Sequence, residues 1–178
     1  MKEKFLENAK REYPAWARFV ALLIAAPLVV LVIPSILLIA GLWVDKKLGW
    51  MGFSSPLILF FGWGLALFGF LFAFWTVYLQ FHIGRGTPIP AMATQKLIVQ
   101  PPYSWTRNPM ALGTLALYFG VAIASGSPSA IFFAALISTG LLLYIKFVEE
   151  KEMELRFGES YLAYREETPF FFPRFRKK

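Results

Sequence analysis

Residues 19–44, with the sequence FVALLIAAPLVVLVIPSILLIAGLWV, decide the fold class of this chain. The run contains no charged residue, and a helix needs about 20 apolar residues to cross a hydrocarbon layer of about 30 Å. A cleaved signal peptide is the competing interpretation, but its apolar core usually has about 7 to 15 residues before a recognisable cleavage site. Here the run is longer, two prolines interrupt it, and no clear cleavage site follows. The stretch therefore predicts a first membrane span.

Two longer uncharged stretches follow, at residues 53–82 and 108–145. The second is too long for one span, and the turn-forming sequence SGSPS at residues 125–129 divides it. From Lys146 onward the chain is charged but keeps an apolar face that is broken near Gly158, which is typical of a helix at a membrane surface. The sequence thus predicts an all-α, polytopic membrane helical bundle in one domain over residues 1–178, with a C-terminal interfacial helix. The predicted spans are about 19–44, 55–82, 109–124 and 129–147.

The composition agrees with this fold class and excludes several kinds of site. Hydrophobic residues make up 57% of the 178 residues, above the roughly 45 to 50% that is usual for soluble proteins. The chain has no cysteine, which excludes disulfides, thiolate nucleophiles and cysteine-based zinc sites. Its one histidine cannot build a histidine-rich metal site. We therefore expect no metal.

The basic residues predict how the spans are oriented in the membrane. Of the 18 Lys and Arg residues, five precede Phe19, two lie between the first two spans, three lie in the connection at 83–108, and eight follow Ile145. Cytoplasmic loops are enriched in Lys and Arg, so both termini are predicted to be cytoplasmic, with 16 of the 18 on that side. The net charge of +7 then requires no nucleic acid. Segments 83–108 and 148–173 share the cytosolic side in this topology, where a soluble cofactor reaches both.

Acidic residues are concentrated after the last predicted span. Seven of the eleven fall between Glu149 and Glu167, and Glu149 and Glu150 follow the span directly. Adjacent helical residues point about 100° apart, so one of these two carboxylates is expected to face the bundle while the other caps the helix or meets solvent. An interfacial helix that begins with solvated acids is the alternative to a binding role.

The connection at residues 83–108 carries Gly84-Arg85-Gly86 near its start, just past His82 at the end of the second predicted span. Glycines at this spacing allow a close backbone approach to a ligand, and Arg85 is able to pair with a carboxylate. A glycine-rich exit from a membrane helix is the structural alternative. His82 is either a proton acceptor or an amphipathic anchor at the interface.

The same connection ends with Tyr103 and with Arg107-Asn108-Pro109. Pro109 suits the first turn of the third span, where a missing backbone N–H costs nothing. Arg107 is then either a ligand-binding residue or a helix-start residue at the lipid headgroups.

These motifs form an ordered set along the chain. In order they are Gly84-x-Gly86-Thr87-Pro88-x-Pro90, Tyr103-x-x-x-Arg107-Asn108-Pro109-Met110-x-x-Gly113, Glu149-Glu150 and Arg156-Phe157-Gly158-x-x-Tyr161-x-x-Tyr164. The set resembles the isoprenylcysteine carboxyl methyltransferase and phospholipid methyltransferase family of integral membrane enzymes, over roughly residues 70–173. The resemblance implies S-adenosylmethionine as cofactor, with Gly84, Gly86, Glu149 and Glu150 associated with it.

The chemistry of S-adenosylmethionine suggests a role for each remaining candidate. We expect Glu149 or Glu150 at its ammonium, Arg107 or Arg85 at its carboxylate, and Tyr103 or Tyr144 at its adenine. Asn108 and Pro109 join this set as neighbours of Arg107 in the motif. His82 and Tyr103 are the candidates for a general base. The acceptor is expected to be a lipid or a prenylated small molecule that reaches the cofactor between helices, and the oligomeric state stays open.

Two departures from the family pattern bear on the acceptor. Asn108 and Ala111 stand where relatives have His or Asn and often Tyr, so any role of that aromatic residue is absent. Glu166 and Glu167 stand before Pro169, where eukaryotic carboxyl methyltransferases carry a basic residue. An acid there repels a carboxylate and attracts an amine. We therefore expect Glu167 to face an amino-lipid acceptor of the phosphatidylethanolamine type.

Three alternatives remain at this stage. The nearest is carboxyl O-methylation of an isoprenylcysteine. From another enzyme class, a membrane reductase that uses NADPH requires several basic groups for the phosphates, and the connection offers only Arg85, Lys96 and Arg107. A non-catalytic lipid-binding protein explains the spans but leaves the ordered polar motifs without a purpose.

Overall fold

The computed structural model of the chain describes residues 12–173, and within them every regular element is a helix. This confirms the predicted all-α class. The basic residues that precede residue 12, and Arg174, Arg176, Lys177 and Lys178 in the tail, lie outside the described residues.

The regular elements of the described part of the chain are five helices and one short turn. Three of the helices are long and apolar enough to cross a membrane, whereas α3 is apolar but shorter. Their outer surfaces carry large apolar side chains such as Ile24, Phe60 and Phe132, which are 73%, 71% and 63% exposed. Surfaces of this kind suit lipid better than water. The helices are α1 (Ala15–Leu48), α2 (Pro56–His82), α3 (Pro109–Ala124), α4 (Pro128–Phe157) and α5 (Glu159–Glu167), with a 3₁₀ turn at Pro90–Met92.

Proline shapes the first helix without ending it. Pro34 has no N–H to donate within the helix, and its ring would crowd the carbonyl of the preceding turn. Directly before it, the backbone widens into a π-helical turn at Leu28–Val32, closed by a bond from Ile33 N–H to the Leu28 carbonyl. The helix therefore continues from Ala15 to Leu48 through both prolines of the predicted span.

The chain divides into two compact units. One comprises residues 26–73 and 111–142, and the other comprises, among the described residues, 12–25, 74–110 and 143–173. Each is described separately below.

In the unit of residues 26–73 and 111–142, α2 and α3 meet through small residues. A Cβ atom added to Gly120 would lie 2.3 Å from the backbone nitrogen of Ala66, and one added to Gly69 would lie 2.3 Å from that of Leu117. Close approach through small residues is how helices gain packing contacts in lipid. The resulting core contains Leu37, Ala66, Leu117, Tyr118, Ala122, Ala130 and Ala134.

The same unit contains a buried acidic residue, Asp45, which directly follows the first predicted span in the sequence. Asp45, which is 6% exposed, accepts a hydrogen bond from the Ser127 hydroxyl and one of 3.1 Å from Ser129 N–H. The Ser127 hydroxyl oxygen in turn accepts from Ala130 N–H at 3.0 Å. These bonds satisfy the free N–H groups at the start of α4. Asp45 therefore caps α4.

In the unit that contains residues 74–110 and 143–173, the connection after α2 folds back on itself. Gln95 and Lys96 both donate from their backbone N–H to the Gly84 carbonyl, at 2.7 and 3.1 Å. Leu79, Ile98 and Tyr103 form a small core beneath it. Gly158, with φ +55°, interrupts the C-terminal helix at the predicted break, and α5 follows.

Candidate functional site

The two polar segments that the sequence assigned to one site are bound to each other. Arg107 donates from Nη1 to the carbonyls of Arg165 and Thr168, at 2.7 and 2.9 Å. Asn108 Nδ2 donates to the Phe170 carbonyl at 2.7 Å, and the Tyr164 hydroxyl donates to the Tyr103 carbonyl at 2.6 Å. The C-terminal segment is therefore held against the residues that precede α3, and Pro109 begins that helix as predicted.

Arg107 and Glu150 form the buried ion pair of this assembly. Arg107 Nη2 donates to Glu150 Oε1, and both side chains are 8% exposed. Lys146 Nζ lies 3.0 Å from the other carboxylate oxygen of Glu150. The sequence interpretation gave Arg107 and Glu150 separate roles toward a cofactor. In the structure their charges compensate each other, so the pair holds α4 to the connection.

The Glu149 side chain points away from that of Glu150, as expected for adjacent residues of a helix, which are about 100° apart around the axis. It is the last residue of a π-helical turn at Ile145–Glu149 and lies on an exposed part of the helix surface. Its carboxylate interacts electrostatically with Arg156 and Glu152 along the helix and with Tyr103 of the connection. π-Helical turns of this kind are frequent at functional sites.

Three buried polar atoms around Glu149 have no hydrogen-bond partner among the described residues: Gln80 Oε1, Tyr103 Oη and Arg156 Nε. The Gln80 side chain lies close enough to the Tyr103 phenol to act on it as a hydrogen-bonding neighbour, although no hydrogen bond of standard geometry joins Gln80 Oε1 or Tyr103 Oη to a described residue. Buried polar atoms are normally paired, because an unpaired one costs about 1 to 3 kcal/mol. Such a group of orphaned donors and acceptors is what a polar ligand would satisfy.

Burial raises the pKa of the Tyr103 phenol well above its usual value; the neighbouring Gln80 side chain lowers this pKa, and the Glu149 carboxylate adds a smaller increase. Burial also raises the pKa of Tyr161 to about 12. Both phenols are therefore protonated at neutral pH. A protonated phenol is able to donate a hydrogen bond but not to accept a proton, which disfavours the general-base role considered for Tyr103.

Tyr144 belongs to the same group of residues. We call this group the Gln80 cluster, and its members are Gln80, Tyr103, Tyr144, Glu149, Glu152 and Arg156. The Tyr144 ring is 41% exposed, and its hydroxyl interacts electrostatically with Glu149 and Glu152. Arg156 Nη1 also donates to the Thr94 carbonyl at 3.1 Å, which fixes the guanidinium against the connection. The cluster therefore draws on α2, the connection and α4.

Gly84 and Gly86 serve packing within the connection. A Cβ atom on Gly86 would lie 2.4 Å from the backbone of Thr94, and one on Gly84 would lie 2.8 Å from the Gln80 carbonyl. The close approach that these glycines allow is thus made by the chain's own backbone.

His82 and Arg85 lie apart from the Gln80 cluster. The His82 ring contacts the rings of Tyr78 and Phe81, with centroids 4.3 and 5.2 Å away. His82 and Arg85 instead line a pocket of about 430 Å³ together with residues of the N-terminal segment. Glu167, the last residue of α5, is exposed.

The sequence analysis did not identify three members of the cluster as site residues, namely Gln80, Glu152 and Arg156, although the sequence contained signals for them. Glu149, Glu152 and Arg156 are spaced i, i+3 and i+7, which places them along one face of a helix. Gln80 is a polar residue near the end of an otherwise apolar span. Polar groups in such positions mark functional sites by default. Among residues 12–173, no group of three or more His, Asp or Glu side chains is placed to hold a metal ion.

Comparison with known proteins gives one result. Residues 57–160 match the model of the phospholipid methyltransferase family, which is more than half of the chain. The match contains the whole Gln80 cluster and the Arg107–Glu150 pair, but neither the N-terminal segment nor Glu167. No curated protein and no solved structure matches the chain.

Proposed function

The chain belongs to the phospholipid methyltransferase family, and from that premise we propose that it uses S-adenosylmethionine to methylate an amino-lipid at the cytosolic face of a membrane. Family membership supports a membrane methyltransferase that acts on lipids. The choice of methyl donor, acceptor and membrane side rests on the arguments below.

The observation that carries the proposal is the Gln80 cluster, with its three buried and unpartnered polar atoms. S-adenosylmethionine has an ammonium, a carboxylate, a sulfonium and an adenine. In this assignment Glu149 accepts from the ammonium, Arg156 donates to the carboxylate, and Tyr144 lies along the adenine. Tyr103 and Gln80 supply a phenol and an amide oxygen that form no hydrogen bond of standard geometry with the described residues. The residues present therefore fit the methyl donor.

Methyl transfer makes limited chemical demands on these residues. When bound, S-adenosylmethionine supplies a methyl group that its sulfonium already activates. The lipid nitrogen forms the new bond to that carbon, the bond to sulfur breaks, and the nitrogen loses a proton to solvent. The protein must align the two reactants and exclude competing water. The absence of a nucleophilic cysteine from the sequence is consistent with this reaction.

An amine acceptor is favoured over a carboxylate because of the charge at the end of α5. Glu166 and Glu167 are both exposed and form no ion pair among the described residues. A negative potential at this position attracts an ammonium group and repels a carboxylate. Carboxyl O-methylation of a prenylcysteine is the alternative acceptor chemistry.

Binding of labelled S-adenosylmethionine to the purified protein in detergent tests the proposal against the other classes. We expect saturable binding that S-adenosylhomocysteine displaces and NADPH does not. Displacement by NADPH would favour a reductase, and no binding of either cofactor would favour a non-catalytic lipid-binding protein.

A further inference from the structure

A polar pocket lies between residues 12–18 and the end of α2. Its volume is about 430 Å³. Two of its residues are arginines, and one is a glutamate. Its principal lining residues are Glu12, Tyr13, Arg18, Phe81, His82 and Arg85.

Arg18 is fixed in this pocket before any ligand binds. Its Nη1 donates to the Phe81 carbonyl at 2.7 Å, and its guanidinium carbon lies 4.6 Å from the centre of the Phe81 ring. Its Nε is buried and has no partner among the described residues. A planar guanidinium held in this way keeps donors free in a fixed direction, which suits phosphate better than a mobile lysine does.

Arg85 has an unfavourable backbone conformation. Its φ is +52°, and it is the one non-glycine residue with positive φ in the part of the chain that the structure describes. This conformation costs of order 1 kcal/mol or more for a residue with a side chain. Buried Gly84 and Gly86 flank it, so their packing imposes the conformation. Arg85 is exposed and forms no ion pair with any described residue.

We propose that this pocket binds the headgroup of a phospholipid, with Arg18 and Arg85 at the phosphate and Glu12 at the ammonium of an ethanolamine headgroup. His82 is available as a further donor to the phosphate. Arg18 lies near the start of the first candidate span and Arg85 just after the end of the second, which is where lipid headgroups lie. Basic pockets between membrane helices bind phospholipid headgroups in this way.

The pocket is separate from the Gln80 cluster. Gln80 and His82 are two residues apart on α2, so their side chains leave the helix about 200° apart. Glu12 and Arg18 also precede the part of the chain that matches the family model. The inference therefore does not rest on the proposed cofactor site, and either can fail without the other.

The test is binding of short-chain lipids to the purified full chain in detergent, measured by titration calorimetry. The probes are dioctanoyl phosphatidylethanolamine, dioctanoyl phosphatidylglycerol, dioctanoylglycerol and inorganic phosphate. We expect both phospholipids to bind and dioctanoylglycerol to bind at least about tenfold more weakly, because it lacks the phosphate that accepts charge-assisted hydrogen bonds. Equal affinity for dioctanoylglycerol would overturn the inference, and so would displacement of the lipid by inorganic phosphate at equal concentration.

Variants assign the contacts. Arg85→Asn tolerates the left-handed backbone and removes the charge, and we expect it to weaken both phospholipids by about tenfold with no loss of thermal stability. Arg18→Gln should act similarly, although it also loses the bond to the Phe81 carbonyl. Lys96→Gln, an exposed charge in the same connection but outside the pocket, is the matched control. If Arg85→Asn binds phosphatidylglycerol, which has no amine to be methylated, like the parent protein, the phosphate contact is wrong.

Glu12→Gln distinguishes the proposed contact with the ammonium from the proposed contacts with the phosphate. It should weaken phosphatidylethanolamine and leave phosphatidylglycerol unchanged, because only the former has an ammonium. An unchanged ratio of the two affinities would rule out the ammonium contact. Binding of S-adenosylmethionine, measured in parallel, should be the same in all these variants, which distinguishes loss of this pocket from loss of the cofactor site.

Discussion

Glu149 and Glu150 adjoin in the sequence but face different surroundings. Glu150 is enclosed with Arg107 and Lys146, whereas Glu149 lies with Arg156 beside the orphaned polar atoms. Glu149→Gln is therefore expected to weaken S-adenosylmethionine binding by about 1.5 to 3 kcal/mol, as for a lost hydrogen bond to a charged group. Calorimetry measures this directly, with Glu159→Gln, an exposed residue at the start of α5, as the matched control.

Glu150→Gln should act on stability instead. Removal of one partner leaves the buried Arg107 charge uncompensated, which typically costs about 3 to 5 kcal/mol of unfolding free energy. Thermal unfolding in detergent separates the two variants. If Glu149→Gln binds the methyl donor like the parent while Glu150→Gln does not, the roles of the two acids have been exchanged.

Tyr103 provides a prediction about pH. Because burial raises its pKa, the phenol is protonated across the neutral range and ionises only in strongly alkaline solution. Methylation of a lipid amine should rise with pH as the amine, whose ordinary pKa is about 10, loses its proton. Tyr103→Phe should keep the shape of this profile and weaken cofactor binding by about 0.5 to 1.5 kcal/mol. A profile that becomes flat in Tyr103→Phe would instead show that Tyr103 is the base.

The sequence indicated which residues belong to the candidate site and gave less information about how they pair. Arg107, Glu149 and Glu150 were indicated by their positions at the ends of apolar runs, and Tyr103 was indicated by the motif that it shares with Arg107. It did not indicate that Arg107 pairs with Glu150, since 43 positions separate them and only the folded chain brings them together. The same applies to Gln80, because only the folded chain places its side chain beside the Tyr103 phenol.

At the scale of helices, the contact between α2 and α3 depends on glycine. Gly120→Ala would place a methyl group 2.3 Å from the Ala66 backbone, so we expect a loss of about 1 to 3 kcal/mol in unfolding free energy, as in other overpacked cores. Gly64→Ala, on α2 with open space around it, is the matched control and should be neutral or stabilising by up to about 1 kcal/mol. Equal stability of the two variants in thermal unfolding would contradict this packing.

The end of α4 could be predicted only in part from the sequence. Composition shows where the apolar run ends, but the helix continues past that point. α4 continues through Lys146 and the acids to Phe157, because charged residues with good helix propensity extend it beyond the apolar run. Gly158 ends it, and that position was evident from the sequence.

At the scale of the whole molecule, the distribution of Lys and Arg predicts the topology. The chain has no native cysteine, so single cysteines introduced at Lys47, Lys96 and Lys178 report sidedness cleanly. A membrane-impermeant thiol reagent applied to intact cells should label position 47 and spare positions 96 and 178 until the membrane is opened. Position 178 lies outside the described residues, but its expected side follows from charge alone. Labelling of position 178 in intact cells would reverse the assignment.

The most direct measurement of the central claim is methyl incorporation by the purified protein. Labelled S-adenosylmethionine is supplied with equal amounts of phosphatidylethanolamine and a farnesylated cysteine analogue, and the labelled products are identified by mass spectrometry. The account predicts N-methylated phosphatidylethanolamine as the main product and its loss in Glu149→Gln. Preferential methylation of the farnesylated cysteine would contradict the assigned acceptor, and no labelled lipid of either kind would contradict the proposed function itself.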